Sequence, residues 1–100
     1  MQLMQSDETE RAIVRYLDIA GIKHSSVAYK YLITGITSII RSNNRVFKVR
    51  DIYEEIGAKF NVKWTTVERS VRIAINRSSN DDYKVLTCKE FIARIVDELL

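Results

Sequence analysis

The stretch "GAKFNVKWTTVERSVRIAINR", Gly57 to Arg77, holds the pattern from which the fold is read. Val67, Val71, Ala74 and Ile75 recur at helical spacing and define one buried face, so Thr65, Glu68, Arg69, Arg72 and Asn76 must point the other way. Immediately upstream, Val49, Ile52, Tyr53, Ile56 and Phe60 repeat the same spacing and mark a preceding helix. Two helices joined by a short turn, the second with an outward polar and basic face, are the parts of a helix-turn-helix. Gly57 supplies the small residue that lets the helices approach, Asn61 tolerates the left-handed conformation at the turn, and Val67 fills the angle between them. The motif is expected over about residues 48–77, with its second, recognition helix over about 65–77.

Thr65 and Glu68 form a T-x-x-E capping-box pattern, which would start that second helix at Thr65. The pattern leaves Glu68 with two readings, a cap or an acceptor for cytosine N4 in a major groove. Arg69 and Arg72, on the same outward face, have the reach to bind guanine O6 and N7.

Working outward, a first helix is expected from about Asp7, with Ser6 as N-cap, to Ala20, burying Ala12, Ile13, Tyr16, Leu17 and Ala20 and ending at Gly21. After "GIKHSS" a second helix, to about Arg41, carries Val27, Tyr31, Leu32, Ile36, Ile39 and Ile40. Gly35 within it points to a closely packed neighbour, since glycine there weakens a helix by up to ~1 kcal/mol relative to alanine. "SNN" interrupts the pattern before the third helix. Beyond Arg77, "SSNDD" reads as a turn-rich loop and "YKVLT" as an irregular extended segment, a short strand being the other option. A closing helix runs from Lys89 to Leu100. Its apolar stripe is wider than one internal contact requires; core packing is the plainer account, and Leu99 and Leu100 are the candidate dimer surface. The architecture expected is all-α, a compact five- to six-helix domain spanning residues 1–100.

Composition narrows the function. The chain has 100 residues, 46% of them hydrophobic, enough for one core. No run of about 18 apolar residues could span a bilayer, and "MQLMQSDETE" lacks the pattern of a signal peptide, so a cytoplasmic protein is expected. One histidine, His24, and one cysteine, Cys88, are too few soft ligands for a zinc site, and neither a metal nor a cofactor is expected. His24 stands beside Ser25 without an accompanying acid or oxyanion arrangement, so no catalytic residue is assigned and the protein is read as a non-enzyme. The net charge of +3 is modest, but its distribution is not even. Residues 41–77 hold nine Lys/Arg (including Arg41 and Arg45) against four acids, a net of +5, while the rest of the chain sums to −2.

Against this background, "YEEIGAKFNVKWTTVERSVRIAI" resembles the helix-turn-helix of the stage-zero sporulation protein A family, with its V-E-R-x-x-R-x-A-I core. "GIKHSSVAYKYLITGI" is similar to that family's opening helix region and "EFIARIVDEL" to its closing helix. The resemblance implies an all-α effector domain of about six helices that binds duplex DNA in the major groove as a transcription regulator. It places Glu68, Arg69 and Arg72 on the family's base-facing residues and Thr65 on its small hydroxyl residue at the helix start. Two departures bear on target sequence: Thr66 stands where the family has arginine, and Ile73 where it has histidine. Family members also carry a receiver domain that controls dimerisation, and none is present in these 100 residues, which fit a stand-alone regulator or a fragment alike.

The function expected is therefore sequence-specific binding of double-stranded DNA, with Thr65, Thr66, Glu68, Arg69 and Arg72 at the bases and Lys48, Arg50, Lys59, Lys63 and Arg77 on phosphates. Association of two copies is expected only with the help of DNA, on tandem sites. The alternative is a protein-interaction module that antagonises a full-length relative through its terminal helix.

Overall fold

The computed structural model describes residues 2–43 and 46–100, with the side chains of residues 2–7 left aside. Arg45, counted above in the basic central segment, and Asn44 of the "SNN" break lie outside the described residues. Six helices follow in order: α1 (Gln2–Ile19), α2 (Val27–Ser42), α3 (Val49–Phe60), α4 (Trp64–Asn76), α5 (Asp81–Lys84) and α6 (Cys88–Leu99). The all-α expectation holds. α2 is the hub, packed against α1, α3, α4 and α6, and the α3–α4 pair makes the most extensive of the helix contacts.

Each helix end has a local cause. α1 stops because Gly21 takes the left-handed conformation at φ 77°, and α2 stops on Asn43, also left-handed at φ 53°. Gly35 does what its placement implied: a Cβ there would lie 2.8 Å from Ile56 Cδ1 and 2.9 Å from Ile52 Cγ2, so α3 lies directly on α2. The buried stripes of α2 (Tyr31, Leu32, Ile36, Ile39), α3 (Ile52, Tyr53, Ile56), α4 (Val67, Val71, Ile75) and α6 (Phe91, Ile92, Ile95, Val96) converge on one core with Ile13 and Leu17 of α1. Their spacing is the helical period read in the sequence.

Several boundaries differ from the sequence-based expectation. α1 begins at Gln2, so Ser6 lies within the helix rather than capping it. Ala12 and Tyr16 are half-buried, and Val27 at the head of α2 is exposed rather than packed. The segment expected to be irregular contains α5, a single turn nucleated by Asn80, whose side-chain oxygen accepts from the Asp82 N–H at 3.0 Å. The loop before α5 also closes α1: the buried Ser78 hydroxyl donates to the Ala20 carbonyl, and Asn80 Nδ2 donates to the Ile19 carbonyl at 2.8 Å. Those carbonyls are otherwise the unpaired end of a helix. A Cβ on Gly21 would lie 2.8 Å from the Ser79 backbone nitrogen, so the two loops meet too closely for any other residue there.

Candidate nucleic-acid interface

The helix-turn-helix geometry rests on three residues. A Cβ at Gly57 would lie 2.5 Å from the Val62 carbonyl oxygen, so only glycine lets the turn fold back over α3. Asn61 occupies the left-handed region at φ 58°, ψ 47°, and the Val62 N–H returns to the Gly57 carbonyl at 2.9 Å. Val67 is fully buried in the angle of the two helices.

α4 is capped two residues earlier than its capping-box pattern implies. Lys63 is the extended N-cap, at φ −72°, ψ 149°, and no side chain caps the helix. Its carbonyl accepts from the Thr66 and Val67 N–H groups at 3.0 and 3.2 Å, which places Thr65 inside the first turn. The Arg50 guanidinium lies 4.6 Å from the centroid of the ring of Trp64, the first helical residue. Glu68 then has no cap to make, and its carboxylate accepts two hydrogen bonds from Arg72 Nη1, at 2.7 and 2.9 Å.

The residues proposed for base contact share one exposed surface. Thr65, Thr66, Arg69 and Arg72 are exposed, Glu68 is half-buried, and Ile73 lies exposed among them. Arg72 is engaged with Glu68 in an i,i+4 pair, and such pairs on a helix surface are worth only about 0.3–0.5 kcal/mol. A bidentate contact to a base, worth roughly 1–3 kcal/mol, would outweigh that pair.

The residues proposed for phosphates fall into three groups. Lys63 and Lys48 are the exposed N-cap residues of α4 and α3. Arg50 lies over Trp64 and 3.7 Å from Glu54, so it also ties the start of α3 to the start of α4. Lys59 extends toward Phe60 in the last turn of α3, and Arg77 caps the far end of α4. The line of cations is therefore distributed along the whole motif rather than gathered at one end.

Other titratable groups serve the scaffold. His24 pairs with Asp18 and stacks on Tyr29, with ring centroids 4.4 Å apart, which makes it a strut of the α1–α2 connection. Burial pushes both the Tyr53 hydroxyl and the Cys88 thiol up from their ordinary values, so Cys88 is a poor nucleophile at neutral pH. Among the described residues no group of three His, Cys, Asp or Glu could hold a metal ion. No helix among them is long and apolar enough to cross a membrane.

A helix-turn-helix whose second helix exposes threonines and arginines defines a DNA-binding class of protein. The comparison with protein families agrees: the model described as "Sporulation initiation factor Spo0A C terminal" matches residues 13–99. The chain belongs to that family, a DNA-binding regulatory domain of sporulation transcription factors rather than a catalytic one. No curated protein and no solved structure gives a significant match.

Proposed function

We propose that residues 1–100 act as one sequence-specific DNA-binding domain of a transcription regulator, with α4 in the major groove of duplex DNA. The observation that carries this is the outward face of α4, where Thr65, Thr66, Arg69, Arg72 and Ile73 are all exposed, opposite the buried Val67, Val71 and Ile75, on the helix that follows the tight turn at Gly57 and Asn61. In this reading Arg69 and Arg72 bind guanine edges, Glu68 steers Arg72, and Thr65 and Thr66 contact bases at the start of the helix, the methyl of Thr66 against a thymine. Lys48, Arg50, Lys59, Lys63 and Arg77 set the register on phosphates.

Pairing on DNA follows from the same reading. Leu99 and Leu100 are half-buried and pack against the core, which leaves the terminal helix little apolar surface for a dimer in free solution. Two copies would meet on tandem sites, where the duplex supplies their proximity. An antagonist acting through the same helix would need more exposed apolar surface than it offers.

Selection from a pool of random duplexes tests the proposal. Successive rounds of retention are expected to enrich one short core sequence, bound with an affinity that falls as salt rises. Recovery of unenriched sequence, or no retention at low salt, would refute it.

A further inference from the structure

A second feature flanks the outward face of α4. Between the start of α2 and the second half of α4 lies a cleft of about 280 Å³, whose polar lining is Lys23, Ser26, Ser70 and Arg77 and whose apolar rim includes Val27 and Ile73. No acid lines it. Among the described residues Arg50, Arg72 and Lys84 each have a carboxylate partner, whereas neither Lys23 nor Arg77 does. Two cations from separate loops thus converge on one cleft uncompensated, an arrangement that favours an anion between them.

The hydroxyls divide the work. Ser26 Oγ donates to the Lys23 carbonyl at 3.0 Å and so fixes the loop that carries the lysine. The half-buried Ser70 hydroxyl has no side-chain hydrogen bond in the structure and is free to donate into the cleft. Val27 and Ile73, 49% and 38% exposed, add apolar surface beside the charges. An anionic group between apolar flanks is the chemistry of a phosphodiester between two deoxyriboses, more than of free phosphate.

The position fits the same occupant. An α-helix with its side chains is about 10–12 Å across and the major groove about 12 Å wide, so a helix lying in the groove turns its flanks toward the backbones on either side. Ser70 and Arg77 sit on such a flank, one step around the helix from Arg69 and Asn76. We infer that Lys23 and Ser70 join Arg77 in a clamp for one backbone phosphate of the duplex that α4 reads, holding the second half of the helix at its depth in the groove. The inference rests on the DNA-binding function proposed above and adds Lys23 and Ser70 to its contacts, with Ser26 as a positioning residue.

Single methylphosphonate substitutions, each neutralising one phosphate of the enriched duplex, test it. With the wild-type chain one flanking position is expected to cost about tenfold near 0.1 M salt, since one phosphate contact contributes a salt slope of about 0.9. Lys23→Ala should weaken binding on enriched and random duplexes alike, flatten the salt slope by up to about one unit, and become less sensitive to that one substitution, since only Ser70 and Arg77 remain on the phosphate. Lys84→Ala, the same charge change outside the cleft, should do none of this. Lys23→Ala with a wild-type salt slope and undiminished sensitivity at every position would overturn the clamp, even while Lys63→Ala still weakened binding. Absence of wild-type binding to any duplex would instead remove the DNA-binding function itself and the clamp with it. Saturable occupation of the cleft by inorganic phosphate, with no phosphate position responding in the duplex, would assign the site to a free anion and also overturn the proposal.

Discussion

Two helix starts in this molecule share the pattern T-x-x-E and use it differently. At α6, Thr87 Oγ1 accepts from the Glu90 N–H at 3.2 Å while Glu90 Oε1 accepts from the Thr87 N–H at 2.8 Å, a complete capping box. At α4, Thr65 is already helical and Glu68 turns to Arg72. The difference is two residues of register: the N-cap of α4 is Lys63, two positions before Thr65, where the turn through Asn61 delivers the chain. An N-cap threonine is worth about 1 kcal/mol, and α4 forgoes it. What α4 has instead is a first turn free of side-chain caps, carrying roughly half a positive charge from the helix dipole.

The contrast can be broken most strongly at Gly57, which holds the turn that sets α4's register. Gly57→Ala places a methyl against the Val62 carbonyl and is expected to cost about 1–3 kcal/mol or more, read as a lowered denaturation midpoint. An unchanged midpoint would mean that the turn is not as tight as the 2.5 Å approach implies.

The paired threonines sharpen it. Thr87→Ala should destabilise the fold by about 1 kcal/mol and leave discrimination between duplexes untouched. Thr65→Ala should stay within about 0.5 kcal/mol of wild type in stability, because that hydroxyl caps nothing, and should alter binding instead. Equal losses of stability in the two variants would show that α4 is capped at Thr65 after all.

The smallest expected effect concerns association. Sedimentation without DNA should find a monomer, and Leu100→Ala should not change that. A tight dimer would make the terminal helix an interface and would require Leu99 and Leu100 to leave their packing against the core.

The helix-turn-helix was legible in the sequence because its determinants are local: a glycine four residues before an asparagine, and a valine six residues after it, meet through one turn. The outward face of α4 was legible from periodicity alone. The features that escaped depend on contacts between distant segments. Ser78 and Asn80 close the end of α1 across about sixty residues of chain, so "SSND" looked like an ordinary loop. The Lys23 cleft exists only because α2 packs on α4. The Glu68–Arg72 pair has a legible i,i+4 spacing with the acid in the favoured N-terminal position, but Glu68 equally completes a capping pattern with Thr65, and the sequence does not decide between the two. α5 is one turn long, too short to show a period.

The central claim is that α4 reads bases, and its most direct test compares two affinities rather than one. Wild type, Arg69→Ala and Arg72→Ala would be titrated at fixed salt against the enriched duplex and a scrambled duplex of the same composition, with circular dichroism to verify that each variant is folded. The ratio of the two affinities is predicted to fall in each variant by a factor corresponding to roughly 1–3 kcal/mol, because the lost contact exists only on the correct sequence. A folded variant that binds both duplexes more weakly yet keeps the wild-type ratio would show that the arginine touches only the backbone, and that α4 is not the helix that reads.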